Sequence, residues 1–198
     1  ATTNAGDRVS LTCTDTGDGT NGVLLWGAQI EAAAFASSYI PTTTLAAARN
    51  ADVLTYPTSP WLNAAAGTIL TTCTPFTLGG GNGVFSLNDG TSNERIDHRA
   101  SGNCVVTDGG VTQAQVDGGD YTLGVSGKNA LAYAVNDFAA SLNGGAVATD
   151  TSGSLPTVTT LQVGNLDGAT TNSGFSPIRR VSYYAARLAN ATLQGLTT

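Results

Sequence analysis

At 198 residues, with a formal net charge of −6 and only 11 % charged side chains, the chain is about one domain's worth of sequence and has no basic patch able to neutralise a run of phosphates. Nucleic acid is therefore excluded as a partner. No stretch reaches the roughly 20 consecutive apolar residues that span a bilayer, and no basic segment leads into an apolar core at the amino end, so no membrane insertion is expected.

Glycine is frequent, at 25 positions, while methionine is absent and Lys128 is the single lysine, a composition that favours strands and turns over surface helices. Cys13, Cys73 and Cys104 cannot complete a disulfide framework, and none lies at metal-clip spacing from another or from the lone His98. They are expected to be free thiols made in a reducing compartment. Ala1 follows either removal of an initiator or a cut in a longer chain.

In chain order, Asp7–Thr14 and Val23–Glu31 read as two strands joined by a loop over 15–22, and the run to Arg49 has no clear period. Within it, residues 35–44 read as an extended linker, since Pro41 keeps Ile40 out of helix and threonines favour extended backbone. Two strands cannot bury a core. Residues 1–48 are therefore read as the tail of a preceding β module or as an assembly segment, and 49–198 as a domain. Leu24, Trp26, Ile30, Phe35, Tyr39 and Ile40 need a cover, which points to a homo-oligomer, with a trimer favoured.

The domain is a succession of short alternating runs: Thr68–Leu78, Val84–Asn88, Asn93–Arg99, Cys104–Thr107, Val111–Val116, Tyr121–Ser126, Thr157–Gly164 and Ser176–Ala185. Leu131, Tyr133 and Val135 share one face of another such run, and Phe138, Ala140 and Leu142 one face of the next. Asn143-Gly144-Gly145 supplies a positive-φ turn from there into Ala146–Thr149. Such a pattern predicts an all-β fold, a two-sheet antiparallel sandwich, with Leu131, Tyr133, Phe138, Leu142, Leu161 and Val181 in its core. Only the carboxyl end looks helical: Asn190 is placed to cap a short helix on the sandwich edge, with Leu193 and Leu196 facing one way.

The string Leu25-Trp26-Gly27-Ala28-Gln29-Ile30-Glu31, followed by Phe35-Ala36-Ser37-Ser38-Tyr39-Ile40-Pro41-Thr42, resembles a junction between modules of bacteriophage and prophage tail or fibre proteins. Trp61-Leu62-Asn63, Asn88-Asp89-Gly90-Thr91, Asn136-Asp137-Phe138, Leu161-Gln162-Val163-Gly164 and Ile178-Arg179-Arg180-Val181-Ser182-Tyr183-Tyr184 resemble the concanavalin A-like (laminin G/pentraxin-type) domain of such proteins. That resemblance implies a jelly roll from about residue 50 onward, in a virion structural or host-recognition protein made in the bacterial cytoplasm. The partners it implies are other virion proteins and bacterial surface polysaccharide. It implies no particular ligand, because the architecture hosts lectins, glycosidases and purely structural modules.

Glycoside hydrolysis needs two carboxyl groups about 5–5.5 or 6.5–9.5 Å apart. Glu31 and Glu94 are the only glutamates, and no predicted strand carries two inward acids, so the chain reads as no enzyme, a polysaccharide-degrading one being the alternative. On the strand over 93–99, His98 alternates with Ile96, and Arg95, Asp97 and Arg99 point the other way. Arg95, Asp97 and Arg99 read as a solvated face of lateral ion pairs or, more sharply, as a polar platform of two fork donors flanking an acceptor; His98 reads as a half-buried histidine. Asp15, Asp18 and Asn21 offer oxygens of the kind calcium accepts. They lack the twelve-residue pattern and its closing Glu, so a hairpin loop accounts for them and no cofactor is expected. Of Arg179 and Arg180, one is expected to face solvent and the other to pair with a carboxylate. Trp26, Trp61, Tyr133 and Tyr183 read as core, while Tyr184 is the best aromatic candidate for a surface contact.

Overall fold

The computed structural model of the chain describes residues 29–30, 39–42, 45, 54–79, 81–166 and 176–198. The chain divides into two compact units, Ala1–Arg49 and Asn50–Thr198. In the first unit the Ile40 amide donates to Gln29 Oε1 at 2.6 Å, and Ile30 and Tyr39 are exposed. Gln29 and Ile30 lie in neither helix nor strand; the remainder of the two predicted amino-terminal strands, together with Asp15, Asp18, Asn21, Cys13 and Trp26, lies outside the described residues.

The second unit is a two-sheet antiparallel jelly-roll sandwich with one short carboxyl-terminal helix. Its strands are β1 (Leu54–Pro57), β2 (Ala66–Cys73), β3 (Gly83–Asn88), β4 (Arg95–Arg99), β5 (Asn103–Asp108), β6 (Val111–Asp117), β7 (Gly127–Ala134), β8 (Asp137–Leu142), β9 (Ala148–Asp150), β10 (Thr160–Val163) and β11 (Ile178–Tyr184), and α1 is Asn190–Thr197. One sheet has the order β1-β10-β3-β4-β5-β6 and the other β11-β2-β7-β8-β9. The β7–β8 hairpin follows directly from its sequence. Period-2 alternation sets Leu131 and Tyr133 opposite Ala140 and Phe138; Val135, expected on their face, instead lies exposed in the two-residue turn, where Asn136 takes the positive φ of 57° that the turn demands. Asn143 (φ 49°) and Gly144 (φ 72°) then turn the chain toward β9.

Between the sheets, Ile69, Phe85, Leu87, Ile96, Val106, Val116, Leu131, Tyr133 and Phe138 form the main core, with Leu161 and Val181 half-buried against it. Each fully buried large side chain contributes roughly 1.5–3 kcal/mol. Leu142 is buried too, but in a smaller cluster at one end with Cys73, Val84, Ala100 and Tyr121. Cys73 and Cys104 are buried free thiols.

Several expectations need correction. Tyr121–Ser126 is not a strand: Gly124 adopts φ 73°, Leu123 and Val125 are exposed, and only Tyr121 turns inward. Helix α1 lies on the outer face of the five-stranded sheet, not at its edge, where Leu193 and Leu196 cover Leu70, Ala130, Ala132 and Ala139. Asn190 is its first helical residue; the cap is Ala189, whose carbonyl receives the Thr192 and Leu193 amides. The Asn190 side chain instead accepts from Arg187, which also pairs with Asp137 at 2.8 Å. A register irregularity between Ile178 and Arg180 leaves both Arg179 and Arg180 exposed, and Arg180 donates to Ser182 Oγ, so neither takes the carboxylate partner expected among the described residues.

Candidate functional site

Strand alternation turns the apolar residues of the six-stranded sheet inward and a polar set outward. Pairing register arranges that set in rows. One runs Gln162, Ser86, Asp97, Val105, Gln115 across β10, β3, β4, β5 and β6; the next runs Thr160, Asn88, Arg95, Thr107, Thr112. Arg95, Asp97 and Arg99 stand together on this face, as their spacing predicts. Asp97 lies 3.0 Å from Arg95 Nε and 3.0 Å from Arg99 Nε. They do not form a solvated face: the Asp97 side chain has no exposure, and those of Arg95 and Arg99 have 17 % and 22 %. Ser86, Asn88 and Gln162 beside them are buried as well, and Asn88 Nδ2 donates to Ser86 Oγ at 3.1 Å and to Gln162 Oε1 at 3.2 Å. Buried ions in such an arrangement hold each other against a desolvation cost of several kcal/mol per charge, so removing one partner costs more than an exposed pair would.

Tyr184 is not part of this arrangement. It is half-buried against Leu70 and Leu193 under α1, on the far side of the sandwich from Asp97. Among the described residues no three His, Cys, Asp or Glu side chains are placed to hold a metal ion.

On the inner side of β4, His98 is fully buried, not half-buried as expected. Its Nδ1 is 2.9 Å from Thr71 Oγ1 and its Nε2 is 3.4 Å from the Tyr121 hydroxyl, with the Tyr121 ring stacked at 5.8 Å. Burial alone pushes the imidazole down to about 3, and burial likewise raises the Cys73 and Cys104 thiols and the Tyr121 hydroxyl. All four groups are therefore neutral near pH 7, and they line a closed interior.

A third group lies where the edge strands β1 and β11 flank the 58–65 segment. Tyr56, on β1, is 60 % exposed, and its ring is 6.5 Å from that of Trp61 with the planes inclined by 37°. Trp61 is fixed from behind by the edge-on ring of Tyr183 at 5.0 Å, and its Nε1 donates to the Pro57 carbonyl at 2.6 Å. The Tyr183 hydroxyl in turn accepts from the Asn63 amide at 2.7 Å. Their apolar runs predict Trp61 and Tyr183 in the core, and both are half-buried at its margin. No local pattern singles out Tyr56. The signal that could have found this corner is the run Leu54–Cys73, which holds Tyr56 and Trp61 and has no charged residue.

No protein-family model matches the chain, and no curated protein matches it. Solved structures do. The NanB sialidase of Streptococcus pneumoniae superposes with a TM-score of 0.54 at 12 % identity over 68 % of this chain and 24 % of that one, so the chain spans about a quarter of NanB. The CBM40 of the Ruminococcus gnavus IT-sialidase, solved with α2,3-sialyllactose, has a TM-score of 0.54 at 18 % identity, covering 68 % of this chain and 84 % of its own. Domain 4 of AbnA, an extracellular arabinanase from Geobacillus stearothermophilus solved with arabinotriose, has a TM-score of 0.53 at 13 % identity, covering 70 % and 69 %. At these identities the likeness is one of fold.

Proposed function

We propose that the chain is a non-enzymatic glycan-binding module of a bacteriophage virion, which decorates a tail, fibre or head, holds bacterial surface polysaccharide and docks on other virion proteins. The observation that carries glycan binding is the jelly-roll sandwich with a fixed, partly open aromatic corner. In support, this fold is shared with a sialidase module solved on sialyllactose and an arabinanase domain solved on arabinotriose. The virion setting rests on the resemblance of residues 25–42 and of the strand motifs to phage proteins, and exposed Ile30 and Tyr39 in the amino-terminal unit are consistent with assembly into an oligomer.

A non-catalytic role is favoured because the outer face of the six-stranded sheet presents, in Asp97, a carboxylate closed from solvent between two guanidiniums, whereas hydrolysis needs an accessible pair. Incubation of the chain with bacterial capsule or lipopolysaccharide tests the reading. Retention without new reducing ends is expected. Release of oligosaccharides would make it the polysaccharide-degrading enzyme instead.

A further inference from the structure

We infer that the corner formed by Tyr56 and Trp61 is the sugar contact and that the sugar is an uncharged pyranoside, an inference that rests on the glycan-binding reading above. Three observations carry it.

The first is exposure with rigidity. A large aromatic 60 % exposed beside a tryptophan locked by Tyr183 and by its own bond to the Pro57 carbonyl is a preorganised surface, so a ligand that lands on it orders little. The second is what the rings offer. The Trp61 N–H is already used, so that residue presents an apolar face, and the Tyr56 hydroxyl has no partner among the described residues and can bond a ligand oxygen. A pyranose matches this, with C–H groups for a ring face and hydroxyls for the phenol and for the exposed Ser59 and Thr159, which flank the bond from the Thr58 amide to the Thr159 carbonyl.

The third observation is charge. The segments that build the corner, Leu54–Cys73, Leu155–Asn165 and Val181–Ala186, have no Asp, Glu, Lys or Arg. Among the described residues these segments offer a sialic or uronic acid no cationic side chain, and the Glu94 carboxylate on the Thr157 amide would repel it, so a neutral sugar is preferred. Arg95 and Arg99, the pair suited to a carboxylate, already hold Asp97 on another part of the sandwich.

The test uses the full chain on an array of neutral and sialylated oligosaccharides, followed by calorimetric titration with the strongest neutral array glycan. The variants are Tyr56→Ala and Tyr56→Phe, with unfolding midpoints measured to show that both remain folded. The expected result is binding to neutral glycans that Tyr56→Ala weakens by on the order of tenfold and that Tyr56→Phe, which keeps the ring and loses the hydroxyl contact, restores in part. Undiminished binding by Tyr56→Ala, or binding to acidic glycans alone, overturns the inference and leaves the glycan-binding reading standing. A Tyr56→Ala chain that changes oligomeric state but keeps its sugar affinity also overturns it, and assigns the corner to a second copy. An array with no binding at all overturns both.

Discussion

Acid should destabilise this protein in part through one imidazole, and His98 allows that part to be worked out. Its ring is fully buried between Thr71, Phe85 and Tyr121, and among the described residues no carboxylate contacts it, so protonation places an unpaired charge in the core. Burial lowers its pKa from 6.5 to about 3. Because the folded value lies below the unfolded one, the stability held by the neutral ring is whole above pH 6.5 and is lost as pH falls from 6.5 to about 3. The slope is about 1.4 kcal/mol per pH unit, which amounts to about 3 kcal/mol at pH 4.5 and about 5 kcal/mol once pH 3 is reached. Urea denaturation of wild type and His98→Gln between pH 7.5 and 4.5 isolates this contribution, since the carboxylates titrate in both and cancel in the difference. The wild type should lose about 3 kcal/mol more than the variant over that range. His98 is the only histidine, so its ring resonance can also be followed directly by NMR without assignment. A ring that titrates near pH 6.5 in the folded protein, or parallel losses in the two chains, would refute the reasoning.

Phe138→Ala removes a ring with no exposure from the main core and should cost about 3–5 kcal/mol by denaturant unfolding; a loss under about 1 kcal/mol would place that face wrongly. Gly67→Ala should cost about 1–3 kcal/mol, because its Cβ would overlap the Tyr133 hydroxyl oxygen and ring, and Tyr133→Phe in the same chain should return part of that loss. Light scattering should find the full chain a homo-oligomer, with a trimer favoured, and a chain beginning at Arg49 should contain fewer copies per particle. Two monomers, with the shorter one markedly less stable, would refute oligomerisation through the amino-terminal unit.

The sequence makes some of this fold plain and leaves other parts out of reach for identifiable reasons. The β7–β8 hairpin was legible because alternation, turn chemistry and burial all agree there. Strand β1 was not: four residues, all exposed and ending in Pro57, give no period to read. Tyr121, Leu123 and Val125 alternate like a strand, yet Gly124 bends the backbone and only one of the three turns inward. At β4 the alternation correctly separates Arg95, Asp97 and Arg99 from Ile96 and His98. Depth is a different quantity: a period of two says which side of a sheet a residue faces and nothing about how much lies above it, so alternation alone does not show that Asp97 is dry. The aromatic corner depends on Trp61 meeting Tyr183, 122 positions apart in the chain, and no local pattern reports that encounter.

The order of the strands also governs when the domain can exist. Strand β2 pairs with β7 on one side and with β11 on the other, where Cys73 meets Ile178 over a hundred residues later; β3 likewise waits for β10. A chain growing from its amino end therefore exposes a flank of both sheets until residues near the carboxyl end arrive, and loop closure of that length makes the final step slow. Over that interval the flanks of β2 and β3, rich in Ile69, Leu70, Phe85 and Leu87, are open to strands of neighbouring nascent chains. Yield on expression should thus depend on temperature and synthesis rate more than the stability of the finished sandwich would suggest.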